Sequence, residues 1–242
     1  VDVNEKPKFK ESSYAYSIAE DINVDETNLL GSVAAEDQDA ESTISYSLEG
    51  DEAALFSINA STGEIFIRDG TTFDYETKSS YSFEVVASDE ILEDRVSVTV
   101  NITDVNEKPI FEDASYEFTV AENAGQTVLG SVVGSDPDAD AEITYFLDGE
   151  DSEFFVINPN SGEITTSENA TFDYEAKYSY SFGVVASDGV LDARVPVTVN
   201  VTNVPEPPVF AEETLIYNVK ESAEMGEIVA TLTVADDDCK GE

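Results

Sequence analysis

One unit of sequence is written twice in this chain, and that fact limits the fold more than any other. Phe73-Asp74-Tyr75-Glu76 returns as Phe172-Asp173-Tyr174-Glu175, an offset of 99 residues (173 − 74). Ala87-Ser88-Asp89 returns as Ala186-Ser187-Asp188, and Asp37-Gln38-Asp39 as Asp136-Pro137-Asp138, at the same offset of 99. Ile18-Ala19-Glu20 returns as Val120-Ala121-Glu122 after a small insertion. The marks start a third time at Val219-Lys220-Glu221 and Asp236-Asp237-Asp238. A recurrent unit of this size is a module that folds once per copy. The copies meet at Asp104-Val105-Asn106-Glu107-Lys108-Pro109, and a near-identical stretch, Asp2-Val3-Asn4-Glu5-Lys6-Pro7, precedes the first copy. An altered version, Asn203-Val204-Pro205-Glu206-Pro207, follows the second. Each linker closes on proline, which disfavours helix in the residue before it and keeps the joint extended. The expected division is a linker at 1–6, repeats at 7–105 and 106–204 with a linker at 104–109, and an incomplete third repeat at 205–242. A chain that opens on a linker reads as a piece of something longer.

Within each copy the pattern is strand. Val96, Val98, Val100 and Ile102 alternate with polar residues, as do Val195, Val197, Val199 and Val201. Tyr81, Phe83, Val85 and Ala87 repeat the pattern, with Tyr180, Phe182, Val184 and Ala186 as counterparts. Period-two alternation marks a half-buried strand. Ser61-Thr62-Gly63 and Asn160-Ser161-Gly162 read as hairpin turns. In the second copy strands are expected near 115–121, 127–134, 142–147, 154–157, 163–166, 177–187 and 193–202, and no segment has a helical period. The fold class is all-β: tandem seven-stranded Greek-key β-sandwiches of immunoglobulin-like architecture, end to end. Pro196 suggests that the last strand lies at a sheet edge.

Charge sharpens the question of function. There are 53 acidic residues against 11 basic ones, a net charge of −42. That excludes binding to nucleic acid through its phosphates and argues against docking on anionic lipid. No stretch has the length of a membrane span, so no direct membrane insertion is expected. The single cysteine, Cys239, permits no internal disulfide. The acids serve either as a solvated, self-repelling surface or as cation ligands.

Position favours ligands. Chain reversals sort the motifs to the two ends of each sandwich. Glu20, Asp74 and Glu76 of copy one then face the linker that Asp136, Asp138 and Asp188 of copy two also face. With Glu107 these make seven carboxylates, and Asn106 adds an amide oxygen. A like-charged pair at about 5 Å costs roughly 3 kcal/mol at an effective dielectric near 20. Ca2+ is the natural counter-ion, because it accepts many oxygen ligands in flexible geometry. Zinc and copper want His or Cys, and the chain holds no His and one Cys.

Taken in order, Glu20, Asp74-Tyr75-Glu76, Asp104-Val105-Asn106-Glu107-Lys108, Asp136-Pro137-Asp138 and Asp188-Gly189 resemble the calcium motifs of tandem cadherin repeats. The resemblance covers the whole chain. It implies several calcium ions at the first linker, with Asp104 among the ligands and Lys108 contributing a backbone oxygen. It implies a second, weaker set at Glu122, Asp173, Glu175, Glu206, Asp236 and Asp238, since Asn203 and Pro205 replace the linker's Asp and Asn. Asn4, Glu5, Asp37, Asp39 and Asp89 would be half a site awaiting an upstream repeat. Tyr75 replaces an arginine that is not a ligand.

The resemblance implies an extracellular, cell-surface adhesion protein in which this segment is a calcium-stiffened rod, not an enzyme. Its partners would be neighbouring repeats, with a homophilic or strand-exchange contact through the third. Two alternatives stay open: a calcium-dependent binding module for a polysaccharide or a partner cadherin domain, and an ancillary domain of a secreted enzyme. Asp173 and Glu175 as a glycosidase carboxylate pair is disfavoured, since the pair recurs in each unit. The absence of tryptophan gives no support to adhesion by a tryptophan-anchored strand.

Overall fold

The valine-rich stretches of the sequence are the longest strands of the molecule. The computed structural model describes residues 3–23, 28–39, 42–210, 214, 216–219 and 221–235. It divides into two units, Val1–Asn106 and Glu107–Glu242.

The first unit contains β1 (Lys8–Phe9), β2 (Ser13–Ala19), β3 (Leu29–Ser32), β4 (Ala35–Glu36), β5 (Ser45–Glu49), β6 (Phe56–Ile58), β7 (Glu64–Ile67), β8 (Ser80–Ser88) and β9 (Glu93–Thr103). One sheet has the order β2-β9-β8-β5, the other β3-β7-β6, and β1 pairs with β4. The strand β2 runs parallel to β9, whereas β8 and β9 are antiparallel. The buried members of β9 are Val96, Val98, Val100 and Ile102, the same residues that alternate in the sequence. They pack with Phe56, Phe73 and Phe83 in one core. The Phe56 and Phe83 ring centroids are 4.8 Å apart.

The second unit repeats the plan with β10 (Ile110–Phe111), β11 (Tyr116–Ala121), β12 (Val128–Ser131), β13 (Gly134–Ser135), β14 (Thr144–Asp148), β15 (Phe155–Ile157), β16 (Glu163–Thr166), β17 (Ser179–Ser187) and β18 (Asp192–Thr202). Its sheets are β11-β18-β17-β14 and β12-β16-β15, with β10 on β13. Each of the seven expected strand regions carries a strand. The expected strand at 127–134 is split into β12 and the start of β13, and β10 and short 3-10 turns at Asp51–Leu55 and Glu150–Phe154 lie beyond the expected set. The hairpin between β15 and β16 turns at Gly162, where φ is +67° and a Cβ would come within 2.3 Å of the Val132 carbonyl oxygen. Only glycine fits there.

Pro196 requires a correction: β18 is an interior strand, between β11 and β17. The Val201 N–H donates across to Tyr178 on the β17 side, while the Thr202 carbonyl accepts from Glu122 on the β11 side. Even-numbered residues therefore face β11, and β11 begins its pairing only at Val197. The missing N–H of Pro196 faces a side on which no ladder has started, so the proline sits at a local edge of an interior strand.

Among the described residues after 205, the strands are β19 (Val209–Phe210) and β20 (Val234–Ala235), which pair antiparallel. Val209, Phe210, Ile216, Ile228 and Val234 are exposed.

Candidate metal centre

Each unit gathers acids at two places: an exit cluster, where the last long strand leaves, and an entry cluster, beside the segment that leads in. The exit cluster of the first unit starts at Glu20, the residue after β2. Its N–H donates to Thr103 at the end of β9 (3.2 Å), so the parallel pairing of first and last strands fixes its place. The Glu20 carboxylate accepts the N–H of Tyr75 (2.6 Å) and of Val105 (2.8 Å). Asp74 and Glu76 follow the buried Phe73, and Glu20, Asp74 and Glu76 offer oxygens within 4.8 Å of one another. The Thr77 N–H and then its hydroxyl hold the Asp74 carboxyl below the usual carboxylate range. Asp104 follows β9 directly and is exposed, as is Asn106.

The second unit rebuilds this frame around Glu122, which is only 3% exposed. Its carboxylate accepts the N–H of Tyr174 (2.8 Å) and of Val204 (2.6 Å). Glu122, Asp173 and Glu175 again bring oxygens within 4.8 Å of one another. Here the Asn203 side-chain amide donates to Glu175 (2.9 Å), and the Asn123 amide donates to Glu206. Asp236 and Asp238 lie outside the described residues, as do Lys220 and Cys239.

In the entry cluster of the first unit, Asp37 accepts the N–H of Asp39 through Oδ1 (2.8 Å), and Asp39 accepts the N–H of Glu5 (3.0 Å). Asp89 accepts the N–H of Ile91 and Leu92, and its other oxygen takes the Asn4 amide at 2.8 Å. The N–H groups of Leu92 and Ile91 hold its carboxyl low. In the second unit Asp136 accepts the Asp138 N–H (3.1 Å), Asp138 accepts the Glu107 N–H (2.9 Å), and Asp188 accepts from Val190 and Leu191. Burial raises the Asp136 carboxyl above its ordinary range, and the nearby charges of Asp138 and Asp188 add to the rise. Lys108 is exposed.

Two atoms test the fit to a cation. Asp37 Oδ2 and Asp136 Oδ2 are buried without a hydrogen-bond partner, at equivalent positions in the two units. A buried carboxylate oxygen with nothing to accept from is costly unless an ion completes it. Oxygen-only donors crowded by like charge suit a hard cation such as calcium.

Sequence reasoning found the acids and missed the donors that hold them. The N–H groups of Tyr75, Val105, Tyr174 and Val204 carry no residue-type signal. The only hint is an acid directly after the first strand.

The family model of the cadherin domain matches residues 14–103 and 116–202. Human Protocadherin Fat 1 is 32% identical over 253 residues, covering 98% of this chain and 5% of the relative. Human Cadherin-12 is 30% identical over 260 residues, covering 98% of this chain and 32% of that protein. The chain is thus a small share of the length of these relatives. The crystal structure of mouse Cadherin-23 EC22-24 superposes with a TM-score of 0.73 at 26% identity, covering 97% of this chain and 78% of that one.

Proposed function

Because the chain belongs to the cadherin family, we propose that it is a calcium-stiffened stretch of an extracellular, cell-surface adhesion protein. Calcium would be held by the exit cluster of one repeat, the linker, and the entry cluster of the next. The residues assigned at the first linker are Glu20, Asp74, Glu76, Asp104, Asn106, Glu107, Asp136, Asp138 and Asp188, with the Lys108 carbonyl. Covalent connection supports this, since Asp104 and Glu107 are three residues apart and so at most about 11 Å. The repeats run over 7–105 and 106–204, with a partial third from 205. Asn4, Glu5, Asp37, Asp39 and Asp89 form the entry half of a further site.

The observation that carries the reading is the pair of buried, unpartnered oxygens on Asp37 and Asp136. No reaction is assigned: the relatives are cadherins and protocadherins, and the acids are read as ligands. Without calcium the carboxylates repel and the linker becomes a hinge. Small-angle scattering with and without chelator tests this, and a radius of gyration that does not respond overturns it. Calorimetric titration then counts ions per linker.

A second reading, contact with another copy through residues 205–242, is favoured by the exposed Phe210, Ile216 and Ile228. A monomer by light scattering at high concentration overturns it.

A further inference from the structure

The loop that carries two exit-cluster acids is pinned at both ends. At its start stands a buried phenylalanine, Phe73 or Phe172, packed edge-on to Tyr81 (5.3 Å) or Tyr180 (5.2 Å). At its end stands a lysine. The Lys78 N–H closes the turn on the Asp74 carbonyl, and the Lys177 N–H does the same on Asp173, each at 2.9 Å.

The lysine side chains then reach away from the acids beside them. Lys78 pairs with Glu52 on the 3-10 turn Asp51–Leu55, and its ammonium lies 4.9 Å from the centre of the Tyr81 ring. Lys177 pairs with Asp151 (2.5 Å) on the turn Glu150–Phe154 and lies 4.6 Å from the Tyr180 ring. In each unit the second oxygen of that acid accepts a β-strand N–H, from Ser82 (2.5 Å) or Ser181 (2.8 Å). The acid, lysine, tyrosine and serine all recur at the offset of 99. The acid shortens from Glu52 to Asp151, yet both of its contacts survive. A lone exposed ion pair adds little stability. A clamp kept through that exchange is explained by what it holds in place.

We propose that Lys78 and Lys177 are positioning residues, which fix the far end of the ligand loop and thereby set its calcium affinity. This rests on reading Asp74, Glu76, Asp173 and Glu175 as calcium ligands. The sign of the effect separates this role from simple charge. Neutralising a lysine near a divalent cation removes a repulsion and would tighten binding. Releasing the loop would weaken it, as loss of supporting contacts around metal ligands does, by about tenfold.

The test uses the whole chain carrying Lys78→Met and Lys177→Met together, with Lys78→Arg and Lys177→Arg as the conservative pair. Calcium affinity is read by calorimetry. Amide hydrogen exchange of the segments 74–78 and 173–177 is read in chelator. The expected result is roughly tenfold weaker binding for the methionine pair, faster exchange in both segments, and near wild-type values for the arginine pair. Glu52→Gln with Asp151→Asn breaks the clamp from its other side and is expected to give the same weakening and the same faster exchange. Methionine variants that bind calcium as well as or better than wild type, with unchanged exchange, overturn the positioning role. A wild-type chain that binds no calcium overturns the functional reading itself, so the two failures are distinguishable.

Discussion

The exit clusters of the two units share a frame and differ in charge. In both, a glutamate after the first long strand accepts two backbone N–H groups, one from the acidic loop and one from the linker. Around Glu20 the linker opens with Asp104; around Glu122 it opens with Asn203, whose amide donates to Glu175. Glu20 is half-buried, whereas Glu122 is almost fully enclosed. The frame is therefore set by backbone donors, and the first linker residue is a carboxylate in one cluster and an amide in the other. The first cluster adds a carboxylate where the second supplies its own donor.

The largest consequence concerns the glutamates. Replacing Glu122 by Ala leaves the N–H groups of Tyr174 and Val204 without their acceptor in a closed site. An unsatisfied buried donor costs about 1–3 kcal/mol, so a loss of roughly 2–4 kcal/mol is expected in chelator. Glu20→Ala should cost about half of that, because water can reach the donors it leaves. Urea unfolding of both variants measures the difference, and equal losses would remove burial as the distinction between the clusters.

Exchanging the linker residue should move binding in opposite directions at the two places. Asn203→Asp is expected to tighten calcium at the second linker and to cost about 1 kcal/mol in chelator, where Glu175 loses a donor. Asp104→Asn should weaken calcium at the first. Calorimetric titration of the pair decides the point; parallel shifts would mean that the linker's first residue does not set the demand for the ion.

How much of this was legible in sequence follows the range of each interaction. Val96 to Ile102 and Tyr180 to Ala186 announce strands because alternation is local. Phe73-Asp74-Tyr75-Glu76 announces a repeated acidic loop because it recurs. The parallel pairing of β2 with β9 was not legible, nor was the burial of one oxygen each on Asp37 and Asp136, since both depend on strands distant in sequence. Pro196 misled because an edge was inferred for the whole strand, when only one side of one residue needed to lack a partner. The backbone of Glu90 was signalled only by its counterpart in the other copy, Gly189, and not by its own residue type.

That residue offers a smaller contrast. Glu90 has φ +80° where the second unit has Gly189 at +94°. A side chain in this region costs about 1 kcal/mol relative to glycine. Glu90→Gly is expected to stabilise the first unit by up to about 1 kcal/mol, and Gly189→Glu to destabilise the second by a similar amount. Paired thermal melts check the symmetry, and a destabilising Glu90→Gly would show that its side chain has a use worth the strain.

The smallest expected effect depends on pH. Asp94 accepts from the Lys6 ammonium (2.6 Å) and the Phe9 N–H (3.1 Å), whereas the second unit has Ala193 at this position. Burial pushes the Asp94 carboxyl up, but the Lys6 ammonium and the Phe9 N–H outweigh it and hold the value below the ordinary range. A carboxyl that is more acidic when folded stabilises the fold above the unfolded value, near 4, and loses that contribution as pH falls through the lower folded value. Lys6 is more than half exposed, so the neutral-pH contribution after screening is about 0.5 kcal/mol. Asp94→Asn should therefore lower stability at pH 7 by that amount and match wild type once the carboxyl is protonated. In the second unit Lys108 occupies the linker place of Lys6, so Ala193→Asp is expected to install the same acid-sensitive increment. Melts of the two variants between neutral and acid pH read it directly, and an Asp94→Asn deficit that persists in acid would assign the role of Asp94 to packing rather than to its charge.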